Sequence, residues 1–232
     1  MSIWNRFGEI LSSVTIDAFS SVVEAVRSAF EGDPETRRQV AFSVAVIALS
    51  AKMAKADGVV TPDEIDAFRD IFHIPEKEAK NVSRLYNLAK QDVAGFASYA
   101  RQVSELFPED KAVLEDVMDG LYHIAKADGI VHDKEQAYLD TVADIFAISE
   151  RVYERIKLRH LHPIDGDPYE IMEANPDWDG ETLKSHYRML VRENHPDRMM
   201  ARGVPKEFVA IANDRLSAIN RAWDNIKRER GL

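Results

Sequence analysis

Seven residues occur twice in this chain. Ala54-Lys-Ala-Asp-Gly-Val-Val60 returns 71 positions later as Ala125-Lys-Ala-Asp-Gly-Ile-Val131, and each copy leads to a related block, Ile71-Phe-His-Ile74 and Ile145-Phe-Ala-Ile148, offset by 74. The second copy therefore holds a three-residue insertion. A duplicated block of this length restricts the fold to two pseudo-equivalent halves, each a helix, an Asp-Gly turn and a further helix. Gly58 and Gly129 suit the left-handed position that closes a helix. Thr61-Pro-Asp-Glu64 is a capping box with proline in the first helical position, and Asp133 is the expected cap in the second copy. These signals predict an all-α bundle with a pseudo-twofold repeat.

Capping does not account for Asp57 and Asp128, which fall in the last turn of a helix, where the carbonyl end of the dipole disfavours negative charge. A neighbouring lysine, a loop amide, or a divalent cation shared with Glu64 and Glu135 would compensate them. The alternating Asp/Asn pattern of a calcium loop is missing. Capping and packing are the plainer account, and a metal held by Asp57, Glu64, Asp128 and Glu135 is the sharper one.

With 232 residues, 45% of them apolar and 30% charged, the chain can bury one large core or two ordinary ones. It has no cysteine, which excludes disulfides, Cys-ligated zinc, iron–sulfur clusters and thiol chemistry and fits a reducing, cytoplasmic setting. The net charge of -10 is the wrong sign for general attraction to phosphate, so nucleic acid is not an expected partner. That charge is uneven. Residues 168–232 carry 11 Lys and Arg against 11 Asp and Glu, and the whole excess lies before them. Around the change, His160-Leu-His-Pro-Ile-Asp-Gly-Asp-Pro168 breaks helical periodicity. The expected organisation is an amphipathic amino-terminal helix (1–30), a helical domain (31–160), a linker (161–167) and a second domain (168–232).

In residues 1–30, Trp4, Phe7, Leu11, Val14, Ala18, Val22, Val26 and Ala29 recur at helical spacing. Arg6, Glu9, Asp17, Glu24 and Arg27 interrupt the segment, whereas a spanning helix needs about 20 largely apolar residues. Docking on its own bundle is the first expectation. Homodimer formation and peripheral contact with the cytoplasmic face of a membrane are the alternatives, the latter weakened by acids on the polar face. Residues 40–51 contain no charge and predict the central, all-round buried helix, entered through Asp33-Pro34 and continuing over 36–55.

The last 65 residues carry a different pattern. Asp167-Pro-Tyr-Glu170 opens a short helix with a capping acid and proline at its first position. A second helix over 181–193 sets Leu183, Tyr187, Leu190 and Val191 in one stripe and Lys184, Arg188 and Arg192, four apart, in another, with His186 nearby. It runs into His195-Pro-Asp197. Proline disfavours helical geometry at the residue before it, so the tripeptide is expected as a turn at the tip of an antiparallel hairpin. The return helix, over 205–228, shows Phe208, Ile211, Leu216, Ile219, Trp223 and Ile226 at three- and four-residue spacing.

Residues 33–160 resemble the TerB-like (tellurite-resistance) all-helical domain, a family suspected of binding metal through acids such as those named above. Residues 168–232 resemble the J domain of DnaJ-type co-chaperones: Asp167-Pro-Tyr-Glu-Ile-Met172 matches the first helix, Leu183 to Glu193 the basic second, His195-Pro-Asp197 the signature loop, and Ile219 to Ile226 the third. In plan, a TerB-like domain before a J domain, the chain is similar to the DjlA branch, and Arg-Gly-Val-Pro205 fits its long loop. Such proteins usually begin with a membrane-spanning helix, which the charged start here does not match. Arg198 stands where the family commonly has lysine, and the chain ends at Leu232 without a match to the fourth helix of many J domains.

The resemblance implies a partner, not a substrate. A DnaK-type chaperone would meet Lys184, Arg188 and Arg192 through an acidic surface, with Arg198 adding charge, and His195, Pro196 and Asp197 would trigger its ATP hydrolysis. The TerB-like half would target, recruit client proteins or regulate. Intrinsic catalysis is not expected: His195 with Asp197, or His160 with His162, could be drawn as an acid–base pair, but no nucleophile elbow, phosphate loop or zinc-helix motif accompanies them. The alternative reading is a metal-binding TerB-type stress sensor with the J domain as output.

Overall fold

The computed structural model describes residues 8–10, 19–29, 33–57, 74, 76, 79–91, 95–108, 110–127, 129–161 and 166–232. All regular structure among them is helical: α1 (Phe19–Ala29), α2 (Pro34–Asp57), α3 (Ala79–Gln91), α4 (Phe96–Ser104), α5 (Lys111–Ala125), α6 (Asp133–Ile145), α7 (Glu150–Leu161), α8 (Pro168–Ile171), α9 (Gly180–Glu193), α10 (Pro196–Ala201) and α11 (Val209–Arg230), the last entered through a 3-10 turn at Lys206–Phe208.

Helix α2 organises the bundle. Its start follows from Asp33, whose carboxylate accepts from the Thr36 amide at 3.1 Å and from the Thr36 hydroxyl at 2.6 Å. Every residue from Val40 to Leu49 is then buried, because α1, α3, α4, α5 and α6 surround it. Two serine hydroxyls on this helix are satisfied within it: Ser43 donates to the Gln39 carbonyl at 3.1 Å and Ser50 to that of Val46 at 2.7 Å. Lys52, 4% exposed, holds its ammonium 4.2 Å from the centre of the Tyr99 ring, a cation–π contact made stronger by burial. The same ring stacks on Phe19 at 4.1 Å. Phe19, Val22 and Val26 are all buried, so α1 docks on its own bundle. Trp4, Phe7, Leu11, Val14 and Ala18 lie outside the described residues.

In the second copy of the repeat Gly129 has a φ of 92°, which a glycine adopts without strain, but it stands in the turn three residues past Lys126, the cap of α5, and not at the helix-closing position expected for it. Its next helix starts one residue earlier than expected. His132, extended at ψ 154°, is the cap, and Asp133 is already the first helical residue. Glu135 reaches back to accept from the His132 amide at 2.9 Å. At the far end Ala147 takes φ 51°, while the amides of Ala147 and Ile148 close on the carbonyls of Asp144 and Ala143 at 3.0 and 3.1 Å, a Schellman ending with alanine where glycine is usual. In the first copy, α2 continues through Asp57. Gly58, the Thr61 to Glu64 box and residues 71–73 lie outside the described residues.

The apolar residues form two cores, and α11 belongs to both. Tyr169, Ile171, Met172, Leu183, Ala222, Trp223 and Ile226 make the smaller one. Met199, Val204, Phe208, Ile211 and Ala212 instead join the larger core of the bundle. Phe208 meets Phe42 edge to face at 4.7 Å between ring centres. Ile211 comes close to α5 at Gly120, where a β-carbon would stand 3.1 Å from Ile211 Cδ1. Each fully buried side chain of this kind contributes roughly 1.5–3 kcal/mol.

Candidate partner-binding site

The carboxy-terminal hairpin is set up by local capping. Asp167 accepts from the Tyr169 amide at 2.8 Å with Pro168 in the first turn of α8. Asp179 accepts from the Thr182 amide at 2.7 Å, which starts α9 at Gly180, one residue before the expected position. That bond holds the Asp179 carboxyl below its ordinary range.

Helix α9 buries Leu183 completely and stacks Tyr187 on Trp223 of α11, 5.0 Å between ring centres and 12° from parallel. The Tyr187 hydroxyl also donates to Asn220 at 3.0 Å. This apolar face turns Lys184, Arg188 and Arg192 outward, and all three are exposed. Their surroundings differ. Lys184 and Arg188 make no ion pair among the described residues, and with Tyr187, Trp223 and Lys227 they line an open groove of about 780 Å³. Arg192 has its Nε 3.6 Å from Glu193, which also accepts from Arg198 at 3.1 Å. His186 does not extend the ridge: its Nε2 donates to the Met172 carbonyl at 2.6 Å and its ring meets Trp178 edge to face, tying α9 to the end of α8.

Proline 196 ends α9 as expected, with His195 extended at φ -65°, ψ 141°. The tripeptide is more than a turn, however. His195 caps a further helix, α10, in which Pro196 and Asp197 are the first residues, and its Nδ1 accepts from the Asp197 amide at 3.2 Å. The reason is that proline, barred from a helix interior, is well suited to a first turn, and Met199 at 1% exposure anchors the new helix in the bundle core. The His195 and Asp197 side chains remain 52% and 79% exposed, 3.6 Å apart.

Behind the turn lies a buried ionic cluster that the sequence reading did not single out. Asn194, directly before His195, donates to the Leu190 carbonyl at 2.8 Å and accepts from Arg215 Nη1 at 3.3 Å. Arg215 Nη2 donates to Asp116 at 2.8 Å and also to Asp119. Asp116 accepts in addition from Arg202 at 3.0 Å. Asp119 accepts from Arg159, both oxygens at 3.1 Å, and from His160 Nε2 at 2.8 Å. Burial pushes Asp119 up, but Arg159, Arg215 and His160 outweigh it and hold the carboxyl well below the usual range. At Asp116 burial prevails over Arg215 and Arg202, and the carboxyl is raised. The signal available in the sequence was two acids three apart in α5, each flanked by the apolar residues Val113, Leu114, Val117, Met118 and Leu121; an acid on a buried stripe requires a partner.

Of the four acids considered for a cation, Glu135 is 2% exposed and engaged in capping α6. Glu64, Asp128 and the Asp57 side chain lie outside the described residues. Among the described residues no group of three or more His, Asp and Glu is placed to hold a metal ion, and no helix is long and apolar enough to cross a membrane.

Comparison with known proteins finds relatives that match most of the chain. The co-chaperone protein DjlA of Vibrio parahaemolyticus is 25% identical over 87% of this chain and 82% of its own length. That of Aliivibrio fischeri is 24% identical over 87% and 83%, and that of Photobacterium profundum 26% over 84% and 80%. No solved structure matches. The model of tellurite resistance protein TerB matches residues 43–158, from inside α2 to near the end of α7, half of the sequence and the part that forms the bundle. The chain belongs to the TerB family.

Proposed function

We propose that this chain is a co-chaperone that stimulates ATP hydrolysis by a DnaK-type chaperone. The observation that carries the reading is the exposed His195-Pro196-Asp197 turn at the end of a helix whose outer face presents Lys184 and Arg188. The names of the relatives support the co-chaperone role, and the J-domain pattern in residues 168–232 supports the partner class. Lys184 and Arg188, with Arg192 and Arg198 partly answered by Glu193, steer and orient an acidic surface of the chaperone. His195, Pro196 and Asp197 act on the bound partner, which they can shift only by favouring one of its states over another.

The test is single-turnover ATP hydrolysis by a DnaK-type chaperone with and without the full chain. Stimulation that is lost in His195→Gln and Asp197→Asn, both folded, and that weakens between low and high salt is the expected result. Exposed charges separated by more than about 10 Å are screened at 0.1 M salt, so stimulation indifferent to both salt and the two substitutions would refute the reading.

A further inference from the structure

The ridge and the turn are anchored in different places. Lys184 and Arg188 sit on the part of α9 whose inner face packs in the smaller core, through Leu183 and Tyr187. The turn is held from both sides by one carboxylate of the bundle. On its amino-terminal side Asn194 is bonded to Arg215, which is bonded to Asp116; on its carboxy-terminal side Arg202 is bonded to the same Asp116. Met199 and Val204, between Asp197 and the return helix, are seated in the bundle core at 1% exposure each.

We propose that Arg215 is a positioning residue, which through Asn194 ties the geometry of the His195-Pro196-Asp197 turn to Asp116 and Asp119, so that the turn acts on a partner only while the hairpin is docked on the TerB-like bundle. The inference rests on the function proposed above. Arg215 suits this task because a guanidinium is planar and forked: it can engage two carboxylates and an amide oxygen at fixed angles, which an ammonium cannot. At 7% exposure it has no alternative partner in water. Among the described residues the His195 ring has a local anchor, the Asp197 amide, so the direction of the turn is inherited from Asn194 and α10. The TerB-like half thereby gains a role at residue level: it is the platform that sets the turn, while the ridge, held by the smaller core, sets affinity.

The experiment uses the full chain in three forms: Asn194→Ala, which removes the link and leaves the buried charges paired; Asp116→Asn, which lies in the bundle and does not touch the turn; and Arg215→Lys, which keeps the charge and loses the fork. Circular dichroism establishes that each is folded. The expected result is that maximal stimulation of the chaperone falls by about fivefold or more in the first two while the half-saturating concentration stays within about twofold, with Arg215→Lys intermediate. The amide resonances of Asp197 and Arg198 move in all three. Unmoved resonances, or full stimulation by a folded Asn194→Ala or Asp116→Asn chain, overturn the proposal. Should the wild-type chain give no stimulation, the functional reading fails, and the resonances alone decide the coupling: movement on Asp116→Asn sustains it and no movement ends it.

Discussion

Arg215 reaches across 99 residues of sequence to place its Nη2 2.8 Å from an oxygen of Asp116, with both side chains buried. Taking these charges out of water is costly, and the arrangement holds because each carboxylate meets two or more cationic donors. Substituting Arg215→Leu removes the donor shared by Asp116 and Asp119 and leaves each carboxylate with a single arginine, Arg202 for Asp116 and Arg159 for Asp119. A loss of about 1.5–3 kcal/mol in unfolding free energy is expected, the usual worth of hydrogen bonds to a charged group, and urea denaturation at neutral pH measures it.

His160 sets an acid limit on stability. Burial lowers its imidazole to about 4, against opposition from Asp119, while the ordinary value is 6.5. Between those values the unfolded chain binds a proton that the folded chain does not, so stability falls as the pH drops from 6.5 to 4, by up to about 3 kcal/mol. Asp214, held at about 2 by His123 and Lys126 in spite of its partial burial, loses its own contribution only below about pH 4. Urea midpoints at pH 7 and pH 5 will differ more in the wild type than in His160→Gln, and equal differences would show that this ring is not the source.

Ala147 ends α6 with a positive φ of 51°. A β-carbon is strained there and absent in glycine, so Ala147→Gly is expected to raise the unfolding free energy by about 0.5–1 kcal/mol despite the greater freedom of glycine in the unfolded chain. Thermal or urea unfolding reads the sign directly.

Lys184 and Arg188 differ from Arg192 in making no ion pair among the described residues, whereas Arg192 lies beside Glu193. Charge reversal at both, Lys184→Glu with Arg188→Glu, is expected to weaken chaperone binding by about tenfold or more at low salt, with the gap narrowing as salt rises. Arg192→Glu should cost less. Because these side chains are exposed, stability should stay within about 0.5 kcal/mol of the wild type, which separates lost contact from lost fold.

Capping chemistry was legible in the sequence wherever it acts over three or four residues. Asp33 with Pro34 and Asp167 with Pro168 stand where their local physics puts them. The charge-free stretch within α2 is indeed the buried centre. Pro196 was read correctly as the end of α9, but its second effect, opening α10, depends on Met199 finding a place in a distant core, and helical spacing within six residues does not show that. The cluster around Asp116 and Asp119 was missed for the same reason. Its members lie on α5, α7, α10 and α11, and no local pattern pairs residues so far apart; only the mismatch of two acids in an apolar stripe marked the place. His186 was set beside the ridge by spacing alone, whereas the Met172 carbonyl draws it to the other side.

Helix α11 is 22 residues long, about 33 Å at 1.5 Å per residue, and it is gripped at both ends: Ile211 and Ala212 in the bundle, Trp223 and Ile226 against α9. It therefore works as a strut. The direction in which Lys184 and Arg188 face outward is fixed to the orientation of the bundle, so whatever holds the bundle in place, whether a surface, a client or a second protein, also aims the ridge.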